Sequence, residues 1–165
     1  MAKQSVMPWA CPYEFMPRDT FRCEGMTGYG THNQPIGTWS DDTSMMLATL
    51  DSLIANEWQV NTEDMRERYL AWLSNGEYTI DGRVFDCGRT VSVALQQRVG
   101  LSGERDNGNG SLMRIIRWRS RMLPRTDVRA ASAITHAMQS DGCLFEHGGC
   151  VARRTHQRHM AARAG

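Results

Sequence analysis

The sequence predicts an all-α protein of one folding unit. Apolar residues recur along the chain with the spacing of amphipathic helices, and no stretch of alternating β-branched residues is long enough to indicate a sheet. The chain has 165 residues, of which 41% are hydrophobic and 22% are charged, a composition typical of a globular domain.

Charge and cysteine content narrow the class of protein further. The formal net charge is +1, which does not demand an acidic or nucleic-acid partner. No apolar run is long enough to span a membrane, and the first residues lack the layout of a secretory signal. The 5 cysteines are odd in number and form no CxxC pair, which favours a reducing compartment. We therefore expect a cytoplasmic protein without a membrane partner.

The first helix is expected after a long loop. Residues 1–36 are rich in proline, glycine and isolated aromatics, and they predict loop with at most a short element at 13–16. After Gly37, residues 40–43 provide a helix start. The apolar face predicted for this helix consists of Met46, Leu47, Leu50, Leu53 and Ile54.

Two more helices are predicted before residue 100. The second is predicted from Asn61 or Thr62 to the helix-stop pair Asn75-Gly76. Its apolar face consists of Met65, Tyr69, Trp72 and Leu73. The third is predicted over about 88–99, with Val91, Leu95 and Val99 aligned.

The last predicted helices flank Pro124. One takes in residues 112–121, after a polar loop over 103–110. The other takes in 127–138, with Thr126 as its N-cap.

Ser40, Asp41 and Asp42 lie where a loop gives way to a helix. One interpretation is structural: a side chain caps the helix, and acids in its first turn complement the helix dipole. The other interpretation is functional, because these side chains offer several hard oxygen ligands suited to Mg²⁺ or Mn²⁺. The tetrapeptide Ser-Asp-Asp-Thr does not decide between them.

Several segments, taken in chain order, resemble motifs of the ADP-ribosylglycohydrolase family. They are GTWSDDTSM at 37–45, Tyr13-Glu14-Phe15, Phe85-Asp86-Cys87-Gly88, Asn109-Gly110-Ser111-Leu112-Met113-Arg114 and Ile134-Thr135-His136. The resemblance implies an orthogonal helical bundle that holds two metal ions and hydrolyses an ADP-ribosyl bond. It also implies Mg²⁺ or Mn²⁺ as cofactor, and an ADP-ribosylated protein or an ADP-ribose-containing small molecule as partner.

Roles follow from the resemblance by position. The implied metal ligands are Ser40, Asp41, Asp42 and Glu14. Glu14 and Asp42 are the implied catalytic carboxylates, one of which would accept a proton from water. The implied substrate-binding residues are Asp86, Gly88, Asn109, Gly110, Ser111, Met113 and His136. Arg89 departs from the family, which tends to have asparagine at that place.

Two family elements have no counterpart in the sequence. The opening Gly-Asp-Ala-Leu-Gly-type segment and the later Asp-x-Asp-Thr metal motif are both missing. We therefore expect a bundle truncated at both ends, with residues 1–142 as a partial domain and 143–165 as an atypical basic tail. At most one metal would be well held, and turnover would be low or absent.

Three alternatives stay open at this point. The chain could be an inactive relic or an ADP-ribose-binding module. A zinc site is conceivable in the tail, since thiolates and imidazoles are zinc ligands; its residues are Cys143, His147, Cys150, His156 and His159. Nucleic-acid binding would need the basic stretch to contact phosphates, although a solvated helix face explains it better; the stretch contains Arg114, Arg117, Arg119, Arg121 and Arg125.

Overall fold

The computed structural model describes residues 10–17, 19–22, 25, 27–103, 105–106, 109–111 and 125–137. Within these residues the chain forms helices and turns and no strand, which confirms the all-α prediction. The helices are α1 (Asp41–Ala55), α2 (Thr62–Asn75), α3 (Arg89–Gln97) and α4 (Arg125–Ala133). Short 3-10 turns lie at Gly30–His32 and Asn109–Ser111. None of these helices is long and apolar enough to cross a membrane.

Helix α2 is the element that the sequence predicts best. The Asn61 side chain accepts a hydrogen bond from the Asp64 amide at 3.1 Å, so it caps the first turn. At the other end Gly76 has φ 72°, and a Cβ there would lie 1.9 Å from the carbonyl oxygen of Gly82. Only glycine fits both the left-handed backbone and this close approach.

The core forms around α2, which contacts each of the other three described helices. Its members are Met45, Ala48, Leu53, Met65, Tyr69, Trp72, Val91, Leu95, Ala131 and Ile134. The predicted α2 residues Met65, Tyr69 and Trp72 are all buried there. Burial of these apolar side chains is the main stabilising contribution to such a bundle.

The predicted apolar face of α1 is partly wrong. Leu50 and Ile54 are 42% and 58% exposed, whereas Thr49 is fully buried. The Thr49 hydroxyl hydrogen-bonds the Tyr69 hydroxyl at 2.5 Å and donates to the Met45 carbonyl at 2.8 Å. A threonine satisfied in this way can face the core, and the helix is rotated accordingly.

The later helices end earlier than predicted. Helix α3 stops at Gln97 because Arg98 adopts a left-handed conformation and pairs with Glu63 and Glu67 of α2, so Val99 is exposed. Helix α4 includes Thr126 instead of being capped by it, and it stops at Ala133.

Backbone pairing explains the early end of α4. The Leu101 amide donates to the Thr135 carbonyl at 3.1 Å, and the Ala137 amide donates to the Leu101 carbonyl at 2.9 Å. These bonds form a short parallel bridge, which takes the place of another helical turn. The helix predicted over 112–121 and the tail after 142 lie outside the described residues.

Candidate metal centre

The first turn of α1 carries the predicted acid pair. Ser40 is the N-cap residue, yet its side chain makes no capping bond to the backbone. Its hydroxyl instead hydrogen-bonds the Asp41 carboxylate, which also accepts the Asp42 amide at 3.0 Å. The two acids remain favourably placed at the positive end of the helix dipole, but Ser40 contributes to the acid pair and not to capping.

Asp41 and Asp42 sit in an environment that disfavours their charged forms. Asp41 is only 6% exposed, and burial, followed by the charges of Asp42 and Asp86, raises its pKa to about 8. Burial, followed by the charges of Asp86 and Glu14, raises the pKa of Asp42 to about 6. Four carboxylates from three separate segments therefore repel one another here, and a bound cation would relieve that repulsion.

Two of these acids meet at a histidine that sequence reasoning missed. His32 Nε2 lies 3.0 Å from Glu14 Oε2 and 3.7 Å from Asp86 Oδ2. One ligand atom from each of the three side chains lies within 4.8 Å of the others. No periodicity or spacing marks His32 in its loop, so folding alone brings it to the acids.

Glu14 and His32 are positioned by two turns fastened together. Thr31 donates its amide to the Pro12 carbonyl at 3.1 Å and its hydroxyl to the Glu14 carbonyl at 2.5 Å. Gly30 has φ 62°, and a Cβ at that position would lie 2.1 Å from the Pro12 oxygen. Glycine is needed for this contact, so the GYGTH sequence serves to bring the loop against the Glu14 turn.

Asp86 joins the site from the segment before α3. Its backbone is left-handed at φ 57°, an uncommon conformation that aspartate tolerates better than most residues. Burial and the charge of Glu14 raise its pKa, while the nearby His32 opposes that shift. The thiol of the adjacent Cys87 lies in the same surroundings. Burial, followed by the charges of Asp41 and Asp86, raises the pKa of Cys87 to about 11.

A second group of predicted residues gathers around the Asn109–Ser111 turn. A Cβ at Gly110 would lie 2.5 Å from Val91 Cγ2 and 3.2 Å from His136 Cε1, so glycine lets this turn close over the histidine. Ser111 and His136 are both buried, and Thr135 Oγ1 lies 2.7 Å from His136 Nδ1.

The start of α3 connects the two groups. Gly88 is its N-cap residue, and it lies two residues after Asp86 and immediately before Arg89. The Asp106 carboxylate accepts hydrogen bonds from Arg89 at 2.5 Å, from Thr90 at 3.5 Å and from the Gly103 amide at 3.1 Å. Arg89 stands where asparagine is usual in the motif described above. Its hydrogen bond to Asp106 holds the polar loop against α3. Met113 and the side chain of Asn109 lie outside the described residues.

The donor set fits a divalent cation. Carboxylates and a serine hydroxyl supply hard oxygen ligands, and the imidazole supplies nitrogen. In the described part of the chain, no lysine or arginine forms an ion pair with Glu14, Asp41, Asp42 or Asp86. Among the described residues, the start of helix α1 therefore contributes positive potential at the acid pair, and a bound cation would supply the remaining balance. The ligand roles themselves stay predictions.

Other predicted sites cannot be placed. The tail cysteines and histidines proposed for zinc lie beyond residue 137, outside the described residues. The same holds for the side chains of the basic stretch over 114–125.

The sequence is similar to a known protein family and to individual known proteins. Residues 9–163 match the family model described as ADP-ribosylglycohydrolase. The chain is similar to the "ADP-ribosylarginine hydrolase Tri1" of Serratia proteamaculans, with 32% identity over 135 residues, covering 74% of this chain and 37% of that protein. It is also similar to the protein of the same name in Pseudomonas putida, with 32% identity over 109 residues, covering 62% and 29%. The chain thus spans about a third of the length of these relatives. The family match continues past residue 142, and a division of the chain there stays a prediction.

Proposed function

Because the chain belongs to the ADP-ribosylglycohydrolase family, we propose that it provides the cation-binding part of a hydrolase that releases ADP-ribose from a modified arginine. The observation that carries this proposal is that Glu14, Asp41, Asp42 and Asp86, from three separate segments, lie close enough for their charges to act on one another. The names of the relatives support arginine as the modified residue. Since arginine is a protein residue, a protein modified on arginine is the proposed partner.

Ser40, Asp41, Asp42 and Glu14 are the proposed ligands of a divalent Mg²⁺ or Mn²⁺ ion. Such an ion, when bound, supplies Lewis-acid polarisation of water and of ribose hydroxyls. Ser40 already directs its hydroxyl to Asp41, and the buried Asp41 carboxylate has no basic side chain beside it among the described residues. Both features fit side chains that are arranged for a cation.

The chemical step replaces a carbon–nitrogen bond with a carbon–oxygen bond. A water oxygen bonds to the anomeric carbon of the ribose while the bond to the guanidinium nitrogen breaks through an oxocarbenium-like state. The leaving nitrogen takes up a proton, and a carboxylate accepts one from the water. Asp42 is the proposed acceptor, because its carboxylate lies among those of Asp41, Asp86 and Glu14, next to where the ion and its water would be held.

The second group of residues is the proposed ADP-ribose site. Backbone amides of a glycine-rich turn can receive phosphate oxygens, and glycine permits close approach. His136 lies against Gly110 and would line the ribose pocket. Asp86 and Gly88, at the start of α3, lie between this turn and the acids along the chain.

The test is release of ADP-ribose from an ADP-ribosylarginine peptide, followed by chromatography. We expect slow release with Mg²⁺ or Mn²⁺, in line with the low turnover that the sequence predicts, loss of release after chelation, and a rate lowered about 100-fold or more in Asp42→Asn. Asp81→Asn, the same substitution at an exposed carboxylate, serves as the matched control and keeps the wild-type rate. Release that persists in the chelated protein or in Asp42→Asn contradicts the proposal. Binding of ADP-ribose without release would favour the inactive-module alternative.

A further inference from the structure

His32 occupies a position that a simple hydrogen bond does not fully explain. Its Nε2 atom faces two carboxylates at 3.0 Å and 3.7 Å, from Glu14 and Asp86 respectively. This nitrogen carries at most one hydrogen, so it can donate to only one carboxylate at a time. As a lone-pair donor, in contrast, it completes a group of three metal-ligating atoms that all lie within 4.8 Å of one another.

The group is held in place by the fold. The hydrogen bonds of Thr31 fasten the His32 turn to the Glu14 turn, as described above. The imidazole ring also contacts two aromatic rings, Phe15 edge-on at 5.9 Å and Phe85 tilted at 5.6 Å, measured between ring centroids. Its side chain is only 10% exposed. Rings packed in this way restrict rotation of the imidazole and keep Nε2 directed at the acids.

The backbone around the group is strained where it presents the ligands. Asp86 and Phe15, which follows Glu14 directly, both have left-handed φ values, of 57° and 61°. Such conformations are costly for a phenylalanine and persist only where surrounding contacts enforce them. The strain is consistent with a conformation selected for the position of the carboxylates.

The composition of the group bears on which ion would bind. Mg²⁺ and Ca²⁺ take oxygen ligands almost exclusively, whereas imidazole favours first-row transition ions. Two carboxylates and one imidazole therefore differ from the all-oxygen set of Ser40, Asp41, Asp42 and Glu14, with which this group shares Glu14. The charges of Glu14 and Asp86 act on Asp42, so the two sets are neighbours.

We infer that Glu14, His32 and Asp86 form a cation subsite beside the Asp41-Asp42 pair, and that it takes a first-row transition ion such as Mn²⁺ in preference to Mg²⁺. The inference rests on the proposed function, because the ion would serve the same reaction centre. His32 is the residue that sets the preference, while Glu14 and Asp86 supply the negative charge.

The experiment is pulsed electron paramagnetic resonance of the full chain loaded with Mn²⁺ alone, up to about two equivalents. A directly bound imidazole gives nitrogen modulation of the Mn²⁺ signal, and labelling histidine with ¹⁵N changes that modulation in the wild type without any substitution. We expect the modulation to vanish in His32→Gln, which keeps a polar amide near the same place. Asp81→Asn, at an exposed carboxylate that pairs with Arg83, is the control and keeps the modulation.

Affinity provides the second measurement. We expect His32→Gln to weaken Mn²⁺ binding about tenfold or more while leaving Mg²⁺ binding within about twofold. Wild-type protein without nitrogen modulation, or modulation retained in His32→Gln, overturns the inference and leaves His32 as a hydrogen-bond donor to Glu14. Neither measurement involves ADP-ribose, so failure here is distinguishable from failure of the proposed hydrolysis.

Discussion

Without a divalent cation, the folded chain should lose stability as the pH rises from acid to neutral. The pKa of Asp41 is about 8 in the folded protein, against 3.8 for an ordinary aspartate, because burial and the charges of Asp42 and Asp86 disfavour ionisation. Between these two values the folded state holds a proton that the unfolded state has released. The free energy of unfolding therefore falls with increasing pH through this window. Below the window Asp41 has no effect on the free energy of unfolding, and above it the decrease that Asp41 causes is complete.

The size of the effect follows from one retained proton. Each pH unit within the window lowers the free energy of unfolding by about 1.4 kcal/mol for that proton. Between about pH 6 and about pH 8, Asp41 alone should thus account for a loss of about 1 to 3 kcal/mol, the lower figure allowing for solvent screening. Asp42 adds to the slope only below its own pKa of about 6. Asp64 and Asp81 have lowered pKa values, so they act only in acid, below 3.8.

The assay is urea unfolding in a chelating buffer at several pH values, followed by tryptophan fluorescence, since Trp72 is buried in the core. Asp41→Asn removes the titrating carboxyl, and its stability should be nearly independent of pH between about 6 and 8. Asp81→Asn should retain the wild-type slope. A wild-type protein whose stability stays constant or rises across this range would refute the reasoning, as would equal slopes for wild type and Asp41→Asn.

Two further substitutions test other parts of the structure. Gly76→Ala should destabilise the chain by about 2 kcal/mol or more, because its Cβ would collide with the Gly82 carbonyl. The control Gly37→Ala, also at positive φ but in open space, should cost about 1 kcal/mol. Equal urea midpoints for the two variants would contradict the close approach of Gly76 to Gly82. Asp106→Asn should weaken ADP-ribose binding about tenfold, by loosening the loop that Arg89 holds, and leave Mn²⁺ affinity unchanged. Calorimetry with each ligand checks this, and a parallel loss of both affinities would argue against separate roles.

Local signals accounted for much of the helical structure. Asn61 and Gly76 lie at the two ends of α2 as predicted, because capping and left-handed termination depend on the residues at the helix ends. The ends of α3 and α4 were misplaced, since Arg98 pairs with acids of α2 and Leu101 pairs with the segment after Ala133. Both events depend on contacts between segments distant in sequence, which periodicity does not reveal.

The buried face of α1 shows a second limit of sequence patterns. Hydrophobicity favours burying Leu50 and Ile54, but the structure buries Thr49, whose hydroxyl is satisfied by Tyr69 and by the backbone. A polar residue costs little in a core once its hydrogen bonds are formed. The pairing partner lies 20 residues away in the sequence, so no local pattern identifies it.

Sequence patterns likewise identified some residues of the candidate site and missed another. Asp41 and Asp42 could be found from a contiguous motif at a helix start, and the structure places a buried Asp41 and a half-buried Asp42 among other acids. His32 could not be found, because it lies in a loop without periodicity and meets Glu14 through the hydrogen bonds of Thr31 and the close approach of Gly30 to Pro12.

Isothermal titration of divalent cation into the metal-free chain tests the central claim most directly. If the acids at the start of α1 are cation ligands, wild-type protein binds Mn²⁺, and Asp41→Ala/Asp42→Ala loses about 100-fold or more in affinity. Binding should also release protons, because Asp41 is largely protonated at neutral pH in the absence of metal. Equal affinity in the two proteins would contradict the account.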